Sequence, residues 1–250
     1  MMLNEFADRV RGCREIVFFT GAGISTESGV PDFRSPGGIW TRYQPVYFEE
    51  FLRSEEARVR YWKMKKETIE LYKNVKPNIG HHAIKAFEER GQLLGLITQN
   101  VDGLHRLAGV SEEKMVELHG TDRKVVCLGC EKEFDAQAIY NKISRDPTPP
   151  LCDRCGGFLK PATISFGQPM PVVAMRRAQE LSQAAEIFIV VGSSLQVQPA
   201  ASFPVMAKQG GAMLAIINRD PTPLDSIADF NHRGAIGEFF RTLQPLLTNG

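Results

Sequence analysis

A parallel, doubly wound α/β sheet carrying a small insert is the fold this sequence predicts, and three features point to it. Short apolar runs end at polar or glycine-rich turns. Charged stretches of helical spacing separate those runs. One segment interrupts the alternation with two Cys-x-x-Cys pairs. Strand, polar turn and helix in repetition give parallel strands with helices on both faces, and ligands collect at the strand C-termini. A length of 250 residues buries enough core for one large domain, or for a large one with a small insert.

The elements follow in order. The first fourteen residues set Glu5 and Asp8 among scattered apolar positions, which reads as an amphipathic helix and not as a secretory leader. Residues 15–20 (EIVFFT) are β-rich and apolar and stop abruptly at Gly21-Ala22-Gly23, as a buried parallel strand entering a tight turn does. The hydroxyl and carboxyl groups of 25–28 then offer N-cap chemistry for a helix. Residues 29–38, rich in Gly and Pro, form an irregular loop, and such a loop after a nucleotide-type turn is usually functional. From 47 to 74 the pattern is charged and helical, with Phe48, Phe51, Leu52, Val59, Trp62, Ile69 and Leu71 as its apolar positions. A helix over 81–90 ends at Gly91, and strands follow at 93–98 and 116–118. A cysteine segment spans 123–160, with a proline-rich stretch at 144–150 between its pairs. Strands at 186–191 and 212–217 end in Gly192-Ser193-Ser194 and Asn218, and 236–247 closes the chain with helical spacing.

Composition narrows the function. Hydrophobic content of 43% and charged content of 24% are those of a soluble globular protein, and a net charge of +1 gives no field toward nucleic acid or anionic membranes. No apolar run approaches the roughly 20 residues of a membrane span. The expected setting is cytoplasmic, where thiols stay reduced and paired Cys-x-x-Cys motifs more often hold metal than disulfides.

Cys127, Cys130, Cys152 and Cys155 have two residues within each pair and 21 between pairs. Each Cys-x-x-Cys turn presents two sulfurs to one ion, so the set fits tetrahedral zinc. Four thiolates leave no position for water, which makes the zinc structural. Cys13 reads as a small apolar side chain near the first strand. The turn Gly21-Ala22-Gly23-Ile24-Ser25 follows a strand, where backbone N–H groups can receive a pyrophosphate. Its third glycine is replaced by Thr26, so on its own it is equally a tight strand-to-helix turn. His119, in Leu118-His119-Gly120, is a candidate base because imidazole titrates near pH 6.5.

Taken together, Gly21-Ala22-Gly23-Ile24-Ser25, Gly29-Val30-Pro31-Asp32-Phe33-Arg34-Ser35, residues 98–105 (TQNVDGLH), Leu118-His119-Gly120 and Gly192-Ser193-Ser194-Leu195 resemble the sirtuins, NAD-dependent protein deacylases. The cysteines fall where that family places its zinc ribbon. The resemblance implies a Rossmann-like domain (1–42, 77–122 and 161–250) and a small domain built from a helical module (43–76) and a zinc ribbon (123–160). It implies NAD and zinc as cofactors and an acylated-lysine protein or peptide as partner, with no membrane or direct nucleic-acid binding. Gly21, Ala22, Gly23, Thr26, Gln99, Gly192, Ser193, Ser194 and Asn218 would line the dinucleotide site, with Ile236 near the adenine. Asp32, Phe33 and Arg34 would belong to the cofactor loop, and Asn100, Val101 and Asp102 would surround the nicotinamide. His119 and Asn100 would be catalytic, His119 taking a proton from a ribose hydroxyl. The products would be deacylated lysine, nicotinamide and acyl-ADP-ribose.

This chain departs from the family pattern at Ile164-Ser165-Phe166-Gly167-Gln168. It also lacks the Tyr-x-x-Arg pair of members that prefer succinyl-type groups, reading Tyr61-Trp62-Lys63-Met64-Lys65 instead. Trp62 and Lys65 are expected where that pair would hold a carboxylate, so neutral acyl groups should be favoured. Two other readings share the motifs: a mono-ADP-ribosyltransferase on the same scaffold, and a non-enzymatic zinc-ribbon binding module.

Overall fold

The computed structural model describes residues 1–72, 74–145 and 148–248. Helix α1 (Leu3–Gly12) leads into β1 (Ile16–Thr20), α2 (Phe48–Arg53), α3 (Glu55–Tyr72), α4 (Ile79–Glu89), β2 (Leu93–Thr98), α5 (Leu104–Leu107) and β3 (Met115–Glu117). The insert follows as β4 (Gly120–Cys127), β5 (Glu133–Asp135), α6 (Ala136–Arg145) and β6 (Leu159–Thr163). The chain ends with α7 (Val172–Ala184), β7 (Ile187–Val191), α8 (Ser202–Gln209), β8 (Met213–Ile217), β9 (Phe230–His232) and α9 (Ile236–Thr248).

Six of the strands form one parallel sheet in the order β3-β2-β1-β7-β8-β9. Every residue of β1 and of β7 is buried, which is why both read as unbroken apolar runs. Successive side chains of β1 point to opposite faces. Ile16 and Phe18 join Phe6, Phe87, Phe239 and Phe240 on the α1, α4 and α9 side. Val17 and Phe19 join Leu181 and Phe203 on the α7 and α8 side. The chain winds outward from β1 to β3 on one side and from β7 to β9 on the other, so the order reverses between β1 and β7. In such sheets the crevice at the reversal point, beyond the strand C-termini, is where ligands bind.

A second sheet, β5-β4-β6, is antiparallel and belongs to the insert. A third core joins it to the helical module, with Phe51 and Trp62 from α2 and α3 packing near Val125, Leu159, Tyr140 and Ile143. The two inserted segments therefore share one hydrophobic centre, and neither has to fold on its own.

Several sequence expectations are revised. No α-helix follows β1. Residues Ala22–Ser28 wind as a 3-10 helix, ended by Gly29 at φ 90°. Its Ser25 caps no helix and turns inward to donate to Asp102 instead. Leu52, Val59 and Leu71 are exposed and add nothing to the core of the helical module. The proline-rich stretch expected at 144–150 falls partly on residues 146 and 147, which lie outside the described residues.

Candidate active site and metal centre

The reversal point is built from glycine. Gly23 N–H donates to Gly192 O at 2.8 Å and Gly21 N–H to Val191 O at 3.1 Å, so the turns after β1 and β7 lie backbone against backbone. A Cβ on Gly23 would stand 2.8 Å from Gly192 Cα, and one on Gly21 would stand 2.8 Å from Gly192 O. Gly192 itself has φ 64°, and a Cβ there would run into Ile24 N and Gly23. With Ile24 N–H also bonded to Gly21 O, several amides of the turn are already satisfied and do not point at a ligand. The glycines serve close packing of the two turns, the tight-turn reading that the sequence left open. Gly192→Ala is therefore expected to cost about 1–2 kcal/mol from the left-handed backbone alone, and more once the clash with the β1 turn is added. Urea unfolding measures this, and an unchanged midpoint would show that the turns separate freely.

Above this joint opens a cleft of ≈ 1060 Å³. Pockets for small ligands run about 300–1,000 Å³, so this one stands at the large end of that range and suits an extended ligand. Gly21, Ala22, Gly23, Thr26, Asp32, Phe33, Arg34, Gln99, Asn100, Val101, His119, Gly192, Ser193, Ser194, Asn218 and Ile236 all line it. Asp102 is the exception among the candidate catalytic and cofactor residues. Its carboxylate lies behind the wall, accepting from Ser25 Oγ at 2.7 Å and from Leu104 N–H at 2.9 Å. Burial, the main cause, raises its pKa above the usual carboxylate value.

Each wall residue is fixed by its neighbours. Asn100 Nδ2 donates to Gly21 O at 3.1 Å and to Ser25 Oγ at 3.2 Å, joining the β1 and β2 turns. Gln99 Nε2 donates to Ser193 Oγ at 2.9 Å, joining β2 to β7. Asp32 Oδ1 accepts from the backbone of Arg34 and Ser35, so this carboxylate shapes the loop. Phe33 packs against Trp40 at 5.3 Å between centroids, and Trp40 leads on to Phe166. Trp40 itself lines the cleft. Trp62 is the reverse case. It is 1% exposed and packs edge-on to Tyr61, while Tyr61, Met64 and Lys65 of α3 face the cleft. Glu27, also on the wall, was missed. Its carboxylate accepts from Gly237 N–H at 2.8 Å, capping α9 beside Ile236 from 210 residues away, a contact no local pattern signals.

His119 is half-buried on β4's approach, and its Nδ1 lies 3.0 Å from Gln99 O. A carbonyl only accepts, so Nδ1 carries the hydrogen and the neutral ring leaves Nε2 as an open base. Burial, against the opposing effect of the Gln99 carbonyl, lowers its pKa and keeps the ring neutral near pH 7. The other motif histidines are structural. His81 closes the N-terminal cap of α4 with Asn78, and burial pushes its pKa down to about 4. His105 Nε2 lies 3.0 Å from Thr20 Oγ1 inside the core.

The four cysteine sulfurs lie within 4.8 Å of one another, with Cys127 and Cys155 at 3.4 Å and Cys130 and Cys152 at 3.7 Å. Zn–S bonds of about 2.3 Å set tetrahedral sulfurs about 3.8 Å apart, so the cluster matches zinc. Backbone N–H groups of Gly129, Arg154 and Gly157 donate to three of the sulfurs, at 3.4 Å each, an arrangement that favours thiolates. A Cβ on Gly157 would come within 3.0 Å of Cys127 Sγ, which explains glycine beside the ligand. Cys13 stands apart, buried, with its pKa pushed up to about 11 mainly by that burial.

Comparison with known proteins agrees with this geometry. A deacetylase described as NAD-dependent from Rhodopseudomonas palustris is 45% identical over 247 residues, covering 99% of this chain and 96% of that protein. One from Thermodesulfovibrio yellowstonii is 44% identical over 227 residues, covering 91% and 88%. A solved structure of Sir2 with a p53 peptide and NAD+ superposes with TM-score 0.89 at 37% identity, over 98% of each chain. Residues 21–199, from the first glycine turn through the cysteine cluster to the turn after β7, match the Sir2 family as such, and the chain belongs to that family.

Proposed function

We propose that this chain is an NAD-dependent protein-lysine deacetylase, acting on acylated lysine in a protein or peptide. One observation carries the reading: a neutral histidine, tautomer fixed by Gln99 O, faces a large cleft at the sheet's reversal point. Relatives named as deacetylases, and the Sir2 complex holding peptide and NAD+, support it. NAD, when bound, supplies an ADP-ribose acceptor for the acyl group and nicotinamide as leaving group.

The chain's own residues do the rest. Asn100 and Gln99 lock the three strand-end turns together, and Asp102 holds that arrangement from behind through Ser25. Phe33, backed by Trp40, supplies an apolar surface that excludes water. His119 takes up a proton at Nε2 from a hydroxyl presented in the cleft. The four cysteines hold zinc away from this chemistry, as a structural ion.

We divide the chain into a Rossmann-like domain and a small domain in which α2, α3 and the zinc ribbon form one unit, a division supported by the third core. The strands respect it imperfectly, since β4 begins at Gly120 and β6 ends at Thr163, each past the expected boundary. No helix among the described residues is long and apolar enough to cross a membrane. We place the chain in the cytoplasm, where its zinc-binding thiols stay reduced, and assign it a protein partner and no nucleic acid, in keeping with a net charge of +1.

The test is the purified chain with NAD and an acetyl-lysine peptide, read as nicotinamide and acyl-ADP-ribose. Label passing from NAD to protein without those products would favour ADP-ribosyl transfer instead. The same assay gives a pH dependence. Because burial lowers the pKa of His119, the acid limb of kcat/KM should fall below the ordinary histidine value of about 6.5. A limb at or above that value would remove His119 as the titrating base.

A further inference from the structure

One buried ion pair reaches the cleft wall through its lysine. Lys65 Nζ meets Asp122 Oδ1 at 2.6 Å, with the two side chains 9% and 6% exposed. α3 supplies the lysine and β4 the aspartate, three residues beyond His119. Lys65 lines the cleft together with Tyr61 and Met64 of the same helix. Tyr61 Oη lies 3.4 Å from Thr163 Oγ1, Thr163 pairs with Gly120 across β6 and β4, and Ile164 N–H donates to His119 O at 2.9 Å. This part of the wall therefore adjoins the candidate base.

The pair is built poorly for stability. Asp122 Oδ2 is buried without a hydrogen-bond partner. A second ammonium, that of Lys160, is 1% exposed and donates to the carbonyls of Thr163 and Pro161. Burial works against the charge of Lys65, but Asp122 outweighs it and its pKa is raised, so the lysine stays charged at neutral pH. Apolar residues of the same volume commonly stabilise as well as such a pair or better. What they would not do is keep a charged lysine at the cleft wall with its ammonium already engaged.

We propose that Asp122 is a specificity-determining residue. By holding Lys65 it withdraws the ammonium that a carboxylate-ended acyl chain would need. The inference rests on the deacylase reading above. A neutral acyl group needs no cation. Succinyl-type groups lose a charge-assisted hydrogen bond and give up water without a free cation in return. The sequence reading left Lys65 near such a carboxylate, and Asp122 already occupies that place.

The experiment compares butyryl-lysine and succinyl-lysine peptides, which differ by the terminal carboxylate, as a ratio of kcat/KM. In the wild type the succinyl peptide should be poorer by about tenfold or more. Asp122→Asn keeps the shape and removes the charge, and it should shift the ratio toward succinyl by about tenfold to a hundredfold, mostly through KM. Adding Lys65→Met to that variant should abolish the shift. A ratio unmoved by Asp122→Asn, or a shift that survives Lys65→Met, overturns the proposal. Should Asp122→Asn not fold, the wild type still decides, because equal use of the two peptides there overturns it as well. The apolar pair Lys65→Met/Asp122→Leu adds a further check, since succinyl should stay poor in it and a gain would overturn the assignment. A wild type inactive on every acyl peptide would instead bring down the deacylase reading, whereas activity on butyryl-lysine isolates the role of Asp122.

Discussion

Replacing His119 with alanine is expected to lower kcat/KM by about 10²–10⁴-fold, the usual range for removing a general base, while leaving the fold and NAD binding in place. The separation follows from the contacts. His119 is only half-buried, and its ring makes one hydrogen bond, to Gln99 O. Losing a neutral hydrogen bond of this kind costs about 0.5–1.5 kcal/mol, too little to unfold a domain whose sheet is buried on both faces. The Gln99 side chain keeps its separate bond to Ser193, so the dinucleotide side of the cleft stays assembled. Steady-state kinetics beside thermal unfolding and NAD titration give the answer. A loss under about tenfold would remove the histidine from its role. A large loss accompanied by weakened NAD binding would make it a positioning residue.

Zinc removal should have a still broader effect. Metal analysis is expected to find close to one zinc per chain, and Cys152→Ala should lose the metal, lower the unfolding temperature and abolish activity together. Apparent binding energies for structural zinc run to about 10–16 kcal/mol in small ribbons that fold only with metal. Here Cys127 and Cys152 are themselves part of the third core, against residues of α3 and α6. Strand β4 carries Cys127 at one end and begins at Gly120, directly after His119, at the other. Disorder at the ribbon therefore reaches the candidate base along a continuous strand. A zinc-free wild type with full activity and unchanged unfolding would refute the metal assignment.

Much of this was readable because the strands are buried on both faces. Runs such as 15–20, 93–98 and 186–191 have no polar alternation to blur them, and each ends in a turn whose residues line the cleft. Cysteine spacing located the metal cluster for a similarly local reason, since each pair lies within one tight turn. What escaped depends on long-range contact. The strand Phe230–His232 is three residues long, too short for any periodicity to register. The 3-10 helix after β1 owes its form to Ser25 reaching Asp102, 77 positions later. Asp102 itself belongs to a cofactor motif by sequence, yet the same bond draws it behind the wall. On α3 the periodicity gave a helix, but not which of Tyr61 and Trp62 faces the cleft. That depends on the ribbon packed against its other side.

The seating of Gly192 against Gly23 has a consequence for how this chain can change. With no side chain between them, the turns after β1 and β7 form a single interlocked joint, although 169 positions separate those glycines. Substitutions at the two positions should be strongly non-additive, because the first to arrive already forces the backbones apart and the second finds the space open. Gly192 keeps its left-handed backbone whatever the space around it, and a randomised library at either position alone should return mostly glycine.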